Sequence, residues 1–97
     1  MNYRHVIKVE NVTLSHKINS RELFTSLEIF NPDSNSTIMV NDYIEIKPKE
    51  WYRVINMPYV TITTDFSIAS VNKSGKAILI KHFYVLNNEA QLQKYSN

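Results

Sequence analysis

The sequence predicts an all-β domain, an antiparallel β-sandwich or jelly-roll-like fold with a short C-terminal arm, on three observations. Isoleucine, valine and threonine supply 25 of 97 residues against three alanines, and branched side chains lose rotamer freedom in helices but pack well on a pleat. Apolar residues recur at period two in several stretches. Polar turn clusters interrupt those stretches roughly every 8 to 12 residues, the spacing of short strands in a two-sheet fold. A closed five-stranded barrel is the alternative. One domain is expected over residues 1–86, with 87–97 as the arm, because 97 residues hold one hydrophobic core and not two.

Taken in order, Tyr3, Ile7 and Val9 share one face of a first strand. Parity then flips to Val12 and Leu14, which predicts a bulge or turn at Glu10-Asn11. Leu23, Leu27 and Ile29 face one way and Phe24 and Phe30 the other, the pattern of a strand covered on both sides. Asn31-Pro32-Asp33-Ser34-Asn35-Ser36 ends it as a turn, since Pro presets φ and the short polar side chains bond back to their own backbone. Three apolar pulses, Thr37 to Val40, Tyr43 to Ile46 and Trp51 to Ile55, predict a meander. Val60, Ile62, Thr64, Phe66 and Ile68 alternate with Thr61, Thr63, Asp65 and Ser67, predicting a half-buried strand or two joined by a kink at Asp65. Asn72 to Lys76 predicts a hairpin in which Gly75 supplies positive φ. Lys76 to Leu86 is apolar on both faces apart from Lys81 and His82 and reads as a long central strand. Asn87 to Asn97 lose the branched residues, predicting a loose arm or a turn or two of helix.

Composition excludes several chemistries. With no cysteine there are no disulfides, thiol nucleophiles or cysteine-ligated metals. The single glycine excludes phosphate cradles of the GxxxxGK[ST] and GxGxxG kinds. The first residues lack the apolar run of a signal peptide, so none is expected. Apolar stretches such as Ala77 to Ile80 fall short of the ~20 residues needed to span a bilayer. Net charge is +2, with four basic and one acidic side chains in residues 66–97. Those lysines are separated and without arginine, the pattern of a solvated face, so a nucleic-acid footprint is not expected.

His5, His16 and His82 show no i, i+2 or i, i+4 pairing, so no metal site is expected. His82, inside an apolar strand, reads as a sheet histidine with one hydrogen-bond partner. Glu28, Asp42, Glu45, Glu50 and Asp65 offer carboxylate pairs, but a chain this short rarely builds a glycosidase cleft, and no G-x-S-x-G elbow is present. No enzyme and no cofactor are expected. Trp51, Tyr52, Tyr59 and Tyr84 offer a candidate stacking platform for sugars or single-stranded bases; burial at the rim of the core explains the same residues.

The stretch Leu27-Glu-Ile-Phe-Asn-Pro-Asp-Ser-Asn-Ser-Thr-Ile-Met-Val-Asn-Asp, followed by Tyr43-Ile-Glu-Ile-Lys-Pro-Lys-Glu-Trp-Tyr-Arg-Val-Ile, resembles small all-β structural proteins of tailed bacteriophage particles. The turn reads Lys47-Pro48-Lys49-Glu50 where those proteins usually carry a Pro-Gly pair. The resemblance implies a virion component, such as a capsid auxiliary or decoration protein, or a collar, tail or fibre-anchoring piece. Such a protein would be assembled in the host cytoplasm and bound to other virion proteins and to copies of itself, with no small-molecule substrate. The aromatic and tail pattern marks Trp51, Tyr52, Tyr59 and Tyr84, with Leu92 and Tyr95 in the arm, as the expected contact residues. A carbohydrate-binding module and an OB-like single-strand binder are the alternatives.

Overall fold

The structure, a computed structural model, describes residues 2–71 and 75–87. Among these described residues eight strands appear in order: β1 (Asn2–Thr13), β2 (His16–Ile18), β3 (Ser26–Phe30), β4 (Ile38–Val40), β5 (Ile44–Ile46), β6 (Trp51–Ile55), β7 (Phe66–Ser70) and β8 (Lys76–Asn87). They form two four-stranded sheets of order β1-β8-β3-β6 and β2-β7-β4-β5. Every pairing is antiparallel. The pairs β1·β8, β2·β7, β3·β6 and β4·β5 are the rungs of one long hairpin with its tip between β4 and β5. Rolled up, its rungs alternate between the sheets, and the added pairs β3·β8 and β4·β7 close each sheet. This is jelly-roll topology, so the sandwich expectation holds and the five-stranded barrel does not form.

The core lies between the sheets. Leu27, Ile29, Ala77 and Leu79 point inward from the first sheet and Ile18, Ile38, Val40, Ile46, Phe66 and Ile68 from the second, joined by Leu14, Phe24 and Ile62 from connections. Phe24 meets Phe83 edge-on at 6.5 Å between ring centroids, the favourable quadrupole geometry.

Several local expectations are corrected. β1 runs unbroken in one-to-one register with β8, with no bulge at Glu10-Asn11. The parity flip arises because Tyr3, Ile7 and Val9 are apolar on the solvent face whereas Val12 is apolar on the core face. Leu23 lies outside β3: it ends a 3-10 turn (Ser20–Glu22) with φ of 65° and is exposed, while Phe24 drops into the core. That turn is fixed by the Asn19 side chain, which accepts from the Arg21 amide at 2.8 Å, and by Asp65, whose carboxylate accepts from the Ser20 amide at 2.8 Å. The expected meander is only half present. β4 and β5 form a hairpin, but β6 crosses to the other sheet to pair with β3.

Residues 60–65 are loop, and β7 begins after Asp65. Ile62 nonetheless stays buried, because its amide donates to the Phe24 carbonyl at 2.9 Å. Gly75 does not adopt positive φ, and β7 and β8 lie in different sheets, so no hairpin joins them. The glycine instead relieves crowding: a Cβ there would sit 3.2 Å from the Cβ and Oγ of Ser70, which would have to give by a few tenths of an ångström. Lys49 takes φ of 64°, the conformation a Pro-Gly turn assigns to glycine, and the Glu50 amide donates to the Lys47 carbonyl at 3.1 Å, closing a type II turn. β8 is central, between β1 and β3, as expected. The arm beyond residue 87 lies outside the described residues.

Candidate functional site

The face of the β1-β8-β3-β6 sheet turned away from the core combines exposed apolar side chains with a hydrogen-bonded polar chain. Register fixes its rows. Asn11, Ile78, Phe30 and Trp51 lie side by side, then Val9, Ile80, Glu28 and Arg53, then Ile7, His82, Ser26 and Ile55, and then His5 and Tyr84. A solvated antiparallel face is normally polar, yet Ile7 is 53% exposed, Val9 59% and Ile55 70%. Phe30, Ile78 and Ile80 are partly buried among them.

A polar chain crosses this apolar field. Arg53 Nε donates to Glu28 Oε1 at 2.7 Å, Glu28 Oε2 lies 2.7 Å from His82 Nε2, and His82 Nδ1 lies 2.9 Å from His5 Nε2. An ionised carboxylate only accepts, so His82 Nε2 carries a proton toward Glu28. Nδ1 of a neutral His82 then accepts from His5 Nε2, leaving His5 Nδ1 as the acceptor at the end of the chain. The His82 hydrogen bond first, and the Arg53 guanidinium second, hold the Glu28 carboxyl below its ordinary value despite the opposing effect of burial. Tyr84 stacks parallel on His5 at 4.6 Å. With Ile55, Asn56 and Pro58 these groups line a shallow hollow of about 260 Å³. Chemically the chain can hold and relay a proton. Ser26, the hydroxyl in the hollow, accepts from the Asn56 amide at 3.3 Å.

On the opposite side of the same sheet, Lys81 is 2% exposed and bonds Glu22 at 2.7 Å and Glu10 at 3.2 Å. Lys8 adds a 2.9 Å bridge to Glu10. Lys8 foremost, then Lys81, lower the Glu10 carboxyl against its burial. Two lysines and two glutamates therefore satisfy one another on the core-facing flank of β1.

The four sequence-predicted contact residues that are described do not come together. Trp51 is 39% exposed, but the Arg53 guanidinium covers its ring face at 4.7 Å, and Phe30 packs beside it at 4.7 Å. Tyr52 faces inward and packs against the core. Tyr59 stands exposed in the loop after β6, its hydroxyl 3.7 Å from Met57 Sδ. Tyr84 lies about six residues along β8 from the Trp51 row, roughly 20 Å away. Leu92 and Tyr95 lie outside the described residues. These rings therefore assemble no shared stacking platform. Sequence reasoning missed Ile7, Val9, Phe30, Ile55, Ile78 and Ile80 as a surface; apolar residues at both parities of β1 and β8 were the available signal. His82 has two side-chain partners and not one.

Among the described residues no three metal-ligating side chains are grouped to hold an ion, and no helix is long and apolar enough to cross a membrane. Comparison with known proteins found no matching family model, no matching curated relative and no matching solved structure.

Proposed function

We propose that this protein is a non-enzymatic structural component of a virus particle, a capsid auxiliary, decoration, collar, tail or fibre-anchoring piece, working through contacts with other virion proteins and with copies of itself. The observation that carries the reading is the open apolar face built from Ile7, Val9, Phe30, Ile55, Ile78 and Ile80. Exposed apolar surface of this kind, crossed by a few fixed polar groups, is the composition of a protein interface. Jelly rolls recur in capsid proteins, though also in lectins and cupins, so the fold supports the reading only by analogy. The polar chain is compatible with it, because Glu28, His82 and Arg53 are already bonded to one another and add orientation without leaving an unpaired charge. The glycan and single-strand alternatives draw less support, since Tyr52 is turned inward and Arg53 occupies the Trp51 ring.

Mass spectrometry of purified virions from the virus that encodes the chain should detect the protein in many copies. Purified wild-type protein should rebind particles that lack it. Ile55→Glu, at an exposed site, should reduce that binding at least tenfold while leaving the circular dichroism spectrum unchanged. Absence from the particles overturns the reading.

A further inference from the structure

The jelly roll leaves four sheet edges, and they differ sharply. β2 and β5 are three residues long and β6 is five, short enough to offer a neighbour little to pair with, whereas β1 runs for 12 residues. It contains no proline and no glycine and keeps an unbulged register throughout. Among the described residues β1 pairs on one side only, with β8. Its second edge therefore presents a row of exposed backbone donors and acceptors, hydrated in the isolated chain and ready to pair with another extended strand. Charges on the core-facing side of an edge strand commonly discourage such pairing. In β1 two of those charges, Lys8 and Glu10, are bridged to each other, and Glu10 also to Lys81, which leaves Arg4 as the third charge on that side.

From this edge we infer that a second copy of the chain pairs its β1 with β1, antiparallel about a two-fold axis perpendicular to the sheet and passing through Ile7, joining two four-stranded sheets into one. This rests on the reading that the protein works through protein contacts and names the surface and the partner. Such an axis keeps outward faces outward, which requires residues of like parity to oppose one another.

Charge selects the register. With Ile7 opposite Ile7 of the second copy, Arg4 faces Glu10 twice, Val6 faces Lys8, and Val9 faces His5. Sliding one way to centre on Val6 sets Arg4 against Lys8 twice. Sliding the other way to centre on Lys8 sets lysine on lysine. Like charges directly opposed across strands are destabilising. The next register, centred on Val9, also opposes unlike charges, Lys8 and Glu10, but pairs a shorter part of the strand. The Ile7 register alone combines opposite charges with overlap along nearly the whole strand, and it fuses the two apolar faces side by side.

The absence of cysteine makes the arrangement directly readable. Residues facing each other across antiparallel strands have Cα atoms about 4.5 to 5.5 Å apart, within disulfide range. Two copies of position 9 would be offset by four residues, roughly 13 Å. Mild oxidation of full-length Ile7→Cys should give a covalent dimer in high yield, and Val9→Cys should give at least tenfold less. Sedimentation should find wild-type dimers that Ile7→Lys converts to monomers, with circular dichroism confirming that the variant remains folded. A monomeric wild-type protein at high micromolar concentration, equal cross-linking at the two positions, or a dimer indifferent to Ile7→Lys overturns the inference. A protein that forms this dimer yet is absent from virions would refute the virion reading and leave the β1 pairing standing.

Discussion

At the scale of single residues, the molecule's polar chemistry is concentrated on two sides of one sheet, and each side makes a measurable demand. Lys81 is the most deeply buried charge among the described residues, tied to Glu22 and Glu10. Removing one member of a buried ionic group costs more than replacing the group, because the remaining charges lose their counterion. Lys81→Met keeps most of the volume and leaves the exposed Lys8 as the remaining cation for both Glu10 and Glu22. Its expected cost is about 3 kcal/mol, read from urea unfolding; a loss below measurement error would show that the cluster is solvated. The acid limb of stability carries the second demand. Glu10 and Glu28 have folded-state values below their ordinary 4.5. Their contribution is therefore complete above about pH 4.5 and is lost as pH falls through the lowered values. Glu28→Gln should shrink the difference in stability between neutral and strongly acidic pH. An unchanged acid limb would contradict this linkage.

At the scale of elements, the turn after β3 was more legible than the strands around it. Asn31-Pro32-Asp33 was recognisable as a turn because its residues bond locally: Asn31 Oδ1 accepts from the Asp33 amide at 3.1 Å, and Asp33 accepts from the Asn35 amide at 2.8 Å. What local reading could not reveal is that Asn31 is fully buried and that its Nδ2 donates to the carbonyls of Ser36 at 2.7 Å and Ile46 at 2.9 Å. That amide pins the turn after β3 to the end of β5. Asn31→Ala should orphan both acceptors and cost about 2–4 kcal/mol, visible as a fall in Tm on the order of 10–20 °C in a domain this size. A fall of only a degree or two would mean water replaces the amide. The misread strands share one cause. Alternation reports which face of a strand is apolar and not which face is buried, so the outward Tyr3, Ile7 and Val9 imitated a core stripe and the flip at Glu10 imitated a bulge.

At the scale of the whole molecule, composition and turn spacing were enough to indicate a two-sheet all-β domain, because those signals are local and additive. The rolled-hairpin order was not legible, since it depends on which strands meet across long stretches of chain. The candidate site was hidden for the same reason: His5 and His82 hydrogen-bond across 77 positions, and Glu28 joins them from 54 positions before His82. No spacing rule covers such separations, whereas Trp51 and Tyr52, conspicuous as neighbouring aromatics, are sent to opposite faces by the pleat.

The side-by-side placement of β1 and β8 also sets an order of events during synthesis. During synthesis Tyr3, Ile7 and Val9 emerge before residues 76–87, and β1 gains its partner only when those residues follow. Until then the strand is an oily ribbon with both edges open, and its closure must wait on the costliest loop in the fold. A chaperone or sister chain that covered Tyr3, Ile7 and Val9 would have to act in that interval, before the sandwich exists.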